Sequence, residues 1–372
     1  MQTKISFIRK IFYPFLPIYW LGVSFRNILF DLKLLKVHQL NCSVISIGNL
    51  SMGGTGKTPM TIFLTKELLK KNIKVGIITR GYGRSSKETF IICNNKKEKT
   101  EHLDPSALGD EPILFYRKLI NVPIAISKNR INAGKLILQE YELDVILLDD
   151  GFQHRYIKRD IDILLINSLD QKINYKLLPV GNLREPWKAI KRSDFIIQTK
   201  RNLLLKRNEY IEDKLKGESN VFISDSFNKI VDKVNNQKIV AEEIKNKKAV
   251  LLSGIGDPKS FDISSRQLKI NIIGHVVLRD HFQYTKENIR KILNDNKIKK
   301  ADFILTTEKD LVKIENLDIG LEIIPLELIF KIRGMGETKN FISSILKKLN
   351  LRHAIRKNDT NKSEHKRPPC ID

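Results

Sequence analysis

A chain of 372 residues has room for two domains with cores of their own and is too long for one compact layer. Its composition is not collagen-like, disulfide-rich or generally disordered, and Cys42, Cys93 and Cys370, odd in number and far apart, make neither a disulfide framework nor a metal box, which suits a reducing cytosol. The net charge of +24 favours acidic partners; with no zinc-finger spacing and no basic block interleaved with aromatics, anionic lipid or a phosphorylated substrate ranks ahead of nucleic acid.

From Ile11 to Phe25 there is no charged residue. The run is shorter than the roughly 20 apolar residues of a spanning helix and is interrupted by Pro14 and Pro17; it also lacks a small-residue cleavage site. Beyond Pro17, Ile18, Leu21, Phe25, Ile28, Leu29, Leu32 and Leu35 recur at helical spacing, with Arg26, Asn27, Asp31, Lys33 and Lys36 largely between them. Aromatic residues beside basic ones suit a helix lying in the headgroup region, so residues 1–36 read as a membrane-associating segment; packing on its own domain is the plainer alternative.

Val44-Ile45-Ser46-Ile47 leads into Gly48-Asn-Leu-Ser51-Met52-Gly53-Gly54-Thr55-Gly56-Lys57-Thr58, and Pro59 opens a helical pattern. Strand, glycine loop, lysine, hydroxyl and helix, in that order, make a phosphate loop. Backbone N–H groups of Ser51, Gly53, Gly54, Thr55 and Gly56 would cradle the anion, Lys57 would add a charge, and Thr58 would ligate Mg²⁺. Ser51 stands where the strict pattern wants glycine. The form also resembles that of ATPases which partition DNA, but those carry a second lysine where this chain has Met52.

Lys74 to Thr79 reads as a buried strand ending in the basic loop Arg80-Gly-Tyr-Gly-Arg84, where Arg80 and Arg84 would meet a phosphorylated substrate unless the loop is merely solvated. Asp104 to Pro112 precedes a helix, and its acids read first as caps. Val122 to Ile126 is a short strand followed by Lys128, Asn129 and Arg130. Val145-Ile-Leu-Leu-Asp149-Asp150 delivers carboxylates from a strand end, as the Mg²⁺ of a bound nucleotide requires; spacing does not say which aspartate binds directly. Further strands fall at 161–167 and 194–198, separated by a loop whose Arg184-Glu185 reads as an ion pair. Residues 37–220 thus form an α/β P-loop core with a mainly parallel sheet. Val221–Ser224 and Lys238–Val240 read as a two-stranded linker within 221–245, and residues 246–350 restart an α/β pattern closed by a helix near 339–349. Residues 351–372 are basic, aperiodic and expected to be disordered.

Taken together, Gly48-Asn-Leu-Ser-Met-Gly-Gly-Thr-Gly-Lys-Thr-Pro59, Arg80-Gly-Tyr-Gly83, Gly109-Asp-Glu-Pro112, Asp149-Asp-Gly-Phe-Gln-His154, Pro179-Val-Gly-Asn-Leu-Arg-Glu-Pro186, Gly254-Ile255, Asp280-His281 and Thr306-Thr-Glu-Lys-Asp310 resemble the tetraacyldisaccharide 4′-kinase family of lipid A biosynthesis. The blocks follow the family's order up to about residue 346, and Ser51 becomes a family trait. The resemblance implies phosphorylation of the 4′-hydroxyl of an acylated disaccharide 1-phosphate by ATP and Mg²⁺, at the cytoplasmic face of the bacterial inner membrane, peripherally held, with no obligate protein partner. It implies that Asp110, paired with His281, assists deprotonation of the hydroxyl, and that Glu185 with Asp149 and Asp150 surrounds the metal. Arg80, Arg130, His154 and Arg184 would face phosphate or substrate. Lys309 receives no role. The rival reading is a membrane-associated P-loop ATPase switch, which needs no base for a sugar hydroxyl.

Overall fold

The computed structural model describes residues 11–95, 103–231, 247–294, 298–315 and 320–349, with the short pieces 233–234, 237–238, 244 and 317. The expected tail 351–372, residues 1–10 of the N-terminal segment and the strand expected at 239–240 lie outside them. Cys93 is in a disulfide, which its spacing did not announce.

One 12-stranded sheet runs through the whole chain, in the order β12-β11-β13-β14-β8-β7-β6-β1-β5-β2-β4-β3. The strands are β1 (Ser43–Asn49), β2 (Val75–Thr79), β3 (Phe90–Ile92), β4 (Ile124–Ile126), β5 (Val145–Asp149), β6 (Ile161–Asn167), β7 (Phe195–Thr199), β8 (Val221–Ile230), β11 (Lys248–Ser253), β12 (Asn271–Val277), β13 (Phe303–Thr307) and β14 (Glu322–Ile332); β9 (Lys233–Val234) and β10 (Gln237–Lys238) make a separate hairpin. All neighbours are parallel except β3 with β4 and β8 with β14. The central strands are apolar on both faces, as a parallel sheet covered by helices demands: β5 and β6 are buried throughout.

The junction is the long antiparallel pair. Val221–Ile223 of β8 pairs with β7, whereas Ser224–Ile230 pairs with Leu326–Ile332 of β14. The first part of β14, Glu322–Leu326, pairs with β13. This diagonal offset turns the strands of the second half against those of the first, so that the carboxyl ends of both sets face one another across a cleft. Val221–Ser224, expected in the linker, belongs to the main sheet, and Lys238 pairs with Lys233. The last helix, Glu337–Lys348, packs over the junction, with Phe341 against Phe222 (5.0 Å between ring centroids) and Phe195 (5.6 Å). Fully burying a side chain of that kind contributes about 2–3 kcal/mol, which ties the second half to the first.

The N-terminal helix, Leu16–Asp31, starts with Pro17 in its first turn, where the missing N–H costs nothing, and ends before Lys33 in left-handed backbone (φ 59°). Its polar side faces the body. Tyr19 donates to the Arg184 carbonyl (3.0 Å), Asn27 to Glu185 (2.8 Å), and Asp31 pairs with Arg155 (2.6 Å). Ile18, Leu21, Phe25, Ile28 and Leu32 point outward, each at least half exposed. Among the described residues no helix is long and apolar enough to cross a membrane.

Candidate active site

β1 ends under the glycine loop, and the helix Lys57–Leu69 begins at Gly56, whose φ of 93° only glycine adopts freely. A side chain at Gly54 would come within 2.9 Å of Asp257, so this loop is sealed by the second half of the chain. Asn49 donates to the Thr55 hydroxyl (2.9 Å), and Lys57 reaches Asn49 (3.3 Å) and Asp150 (3.5 Å). Ser51 is extended and bridges Leu183, flanked by the bonds Met52 N to Asn182 O and Arg184 N to Leu50 O, both 2.7 Å. Extended backbone needs no glycine, which explains the departure from the strict pattern. It also corrects the expectation for Ser51: the residue is buried, its hydroxyl turned to Asp170, and the cavity lining begins at Met52.

The two aspartates after β5 differ. Asp150 adopts left-handed backbone (φ 49°) and takes both carboxylate oxygens to Arg184 at 3.0 Å. Burial alone would raise its carboxyl, but Lys57 and Arg184 outweigh that and hold it well below the usual range. Asp149 is fully buried, with hydroxyls of Thr61 and Thr79 at 3.4 Å. Burial, reinforced by Glu111 and Asp150, pushes its carboxyl up to about 7. Arg130, buried, donates to the carbonyls of Asp149 (3.2 Å) and Asp150 (3.4 Å), so it shapes this turn as well as lining the cavity.

From the opposite side comes His281, itself in left-handed backbone (φ 55°), with its ring packed on Tyr82 (4.6 Å). Its Nδ1 lies 3.1 Å from Asp110 Oδ2. Asp110 opens the helix Asp110–Lys118, is nearly fully buried and has Lys313 at 3.3 Å. Burial would raise its carboxyl; Lys309, His281 and Lys313 instead hold it well below the ordinary range. His281 lines the cavity and Asp110 does not, so the imidazole stands between the carboxylate and the open space. A carboxylate behind an imidazole fixes its tautomer and leaves Nε2 to accept a proton from a bound hydroxyl.

These groups share one cleft of about 700 Å³, lined by the phosphate loop from Met52 to Pro59, by Arg80, Arg130, Asp149, Asp150, His154 and Arg184, and by His281 and Lys309 from the second half. A phosphate cradle on one wall and a carboxylate-backed imidazole on the other is equipment for moving a phosphoryl group to a hydroxyl.

Comparison with known proteins agrees. The model of the tetraacyldisaccharide-1-phosphate 4′-kinase family matches residues 8–350. The chain belongs to the tetraacyldisaccharide 4′-kinase family. It is 34% identical over 321 residues to the tetraacyldisaccharide 4′-kinase of Halothermothrix orenii, covering 81% of this chain and 82% of that one. It is likewise 34% identical over 346 residues to that of Flavobacterium johnsoniae, covering 92% and 97%. The crystal structure of LpxK from Aquifex aeolicus in complex with ATP superposes with a TM-score of 0.70 at 30% identity, over 91% of this chain and 99% of that one. The protein is therefore a kinase with a P-loop NTPase-like core.

Besides Ser51, a second expected position of this kinase is different in the structure. Glu185 does not line the cavity: it is fully buried, with Arg192 at 2.7 and 3.1 Å, Asn27 at 2.8 Å and Arg26 at 3.7 Å. Both oxygens are taken, so Glu185 fastens the N-terminal helix rather than standing at a metal. Arg80 is exposed at the cavity edge, and Arg84 is buried beneath it with one nitrogen on the Ile126 carbonyl (3.4 Å). His154 faces the cavity, and burial with Arg130, Arg159 and Arg80 pushes its imidazole down to about 4, so it is neutral at pH 7. The sequence reading assigned Glu111 and Lys309 no role, although both lie inside quoted blocks in the first turns of helices. It also passed over Lys200, which reaches across from the end of β7 to the Gly54 carbonyl and Asp257.

Proposed function

We propose that this kinase transfers the γ-phosphoryl group of ATP to the 4′-hydroxyl of a tetraacyldisaccharide 1-phosphate, a step of lipid A biosynthesis. The observation that carries the reading is the Asp110–His281 pair, assembled from the two halves of the chain, facing the phosphate loop across one cavity. A nucleotide switch has no use for such a base. In the reaction the hydroxyl proton passes to His281 Nε2 as the oxygen forms its bond to γ-phosphorus; the bond from phosphorus to the β–γ bridging oxygen breaks, and ADP leaves with the electron pair. Asp110 keeps Nδ1 protonated and steadies the imidazolium that results. Gly53, Gly54, Thr55, Gly56 and Lys57 hold the donor phosphates, and Arg80, Arg184 and His154 face the substrate side.

Mg²⁺ fits the residues present. Among the described residues no basic side chain is ion-paired with the buried Asp149 carboxylate, and its raised proton affinity is what a divalent ion would displace. Asp150 is already neutralised by Arg184 and Lys57. Thr58 and Asp149 are thus the residues that would hold the ion, with nucleotide oxygens completing its shell. Bound there, it would neutralise charge on the transferred phosphoryl group. Radiolabelled ATP, Mg²⁺ and the disaccharide 1-phosphate in detergent micelles test the proposal: label should appear on the lipid, and ATP hydrolysis with unlabelled lipid would sink it.

The apolar stripe of the N-terminal helix supports peripheral binding to an anionic membrane at the cytoplasmic face. Because the polar side holds the helix on the body, the stripe can be changed without unseating it. The double substitution Leu21→Glu and Phe25→Glu should leave the melting temperature within a few degrees and abolish sedimentation with anionic liposomes; retained binding would show that the stripe is not the membrane contact.

A further inference from the structure

Among the described residues, Lys309 is the one basic residue from the second half of the chain that both lines the cavity and touches the proposed base. It lies in the first turn of the helix Glu308–Ile314, at the carboxyl end of β13, with Nζ at 3.1 Å from Glu111, 3.4 Å from His281 Nε2 and 3.7 Å from Asp280. Burial alone would make it easier to deprotonate, but Glu111, Asp110 and Asp280 outweigh burial and keep it an ammonium. An ammonium has no lone pair, so its contact with Nε2 requires that nitrogen to be the acceptor and places the imidazole proton on Nδ1, against Asp110. Lys309 therefore occupies the place where the reacting hydroxyl must sit, within reach of Nε2.

We propose that Lys309 is a further catalytic residue, the counter-charge that the second wall delivers to the transferred phosphoryl group. The inference rests on the kinase reading given above. When the acceptor hydroxyl takes up its bond to Nε2, Lys309 is displaced from the imidazole and exchanges Glu111 and Asp280 for the γ-phosphoryl oxygens. Its charge next to Nε2 would oppose formation of the imidazolium, so the exchange also removes a repulsion at the moment the base takes the proton. Lys57 then neutralises the phosphates from the loop side and Lys309 from the other, the arrangement that phosphoryl transfer through a spread-out anionic transition state calls for. The pair with Glu111 is mostly buried, the two side chains being 16% and 20% exposed, yet both residues line the cavity.

Three variants, Lys309→Met, Lys309→Gln and Lys309→Arg, are compared with the parent in the micellar transfer assay, with the Kd for ATP measured separately. The expected result is a kcat about 10²–10³ lower for Met and Gln, a Kd for ATP within about threefold of the parent, and recovery of at least tenfold of the loss in Arg. Ethylammonium added to Lys309→Ala should restore part of the rate with the melting temperature unchanged. Gln retains the hydrogen bond to Glu111 and decides the question if Met does not fold. A kcat within about threefold of the parent, or a loss matched by equal weakening of ATP binding, overturns the inference. A parent that labels no lipid overturns the kinase reading instead, so the two failures are distinguishable.

Discussion

His281→Ala and Asp110→Ala are each expected to lower kcat for lipid phosphorylation by about 10²–10⁴-fold while the Kd for ATP stays within about threefold of the parent. The contact between them spans 3.1 Å and joins two distant parts of the chain. Because Asp110 works through the imidazole, the double variant should be little slower than His281→Ala alone; residues that act as a unit are not additive. Asp110→Asn separates orientation from charge. It can still hold the ring but cannot steady an imidazolium, so its kcat should also fall, with the melting temperature near that of the parent. Full additivity of the two alanine variants would show that Asp110 acts independently of His281.

Asp149→Asn is expected to abolish lipid phosphorylation and, in the nucleotide-free protein, to raise stability at pH 8. The sign follows from linkage. The folded carboxyl titrates at about 7, well above the unfolded value near 3.9, so the folded state binds more protons across that window. Stability therefore falls as pH rises from about 4 to about 7, and the penalty is complete above 7. A difference of about three pH units corresponds to at most roughly 4 kcal/mol, which asparagine removes because it carries no charge to bury. The melting temperature of the variant should exceed that of the parent by several degrees at pH 8 and match it near pH 4. MgATP should reverse the order, stabilising the parent far more than the variant. A variant no more stable than the parent at pH 8 would show that Asp149 carries no buried charge in the free enzyme.

Much of this kinase is written locally. The phosphate loop is legible because strand, glycines, lysine and hydroxyl are contiguous, and the strand ending in Asp149 is legible because a short apolar run closed by aspartates, downstream of that loop, fits a covered strand. The outward stripe of the N-terminal helix follows from its period. What local pattern cannot carry is a partner chosen across the fold. Glu185 sits in a quoted block, yet its ligands Arg192, Arg26 and Asn27 come from elements that meet only in the folded chain, and they remove it from the cavity. Ser51 looked like a phosphate contact until its bridge to Leu183 placed it below the loop.

By itself, the sequence determined the donor side: a P-loop core, its lysine and hydroxyl, and a carboxylate at a neighbouring strand end. Only the tertiary structure decided that Asp150 is the one ion-paired with Arg184 and Lys57, since that depends on where those side chains reach. It also decided that the second half faces the first. The offset pairing of β8 with β14 reverses the strands beyond it, so two sets of carboxyl ends meet across the cleft, and His281 and Lys309 arrive opposite the phosphate loop. Sequence spacing records distance along the chain; register between strands far apart in sequence sets distance in space.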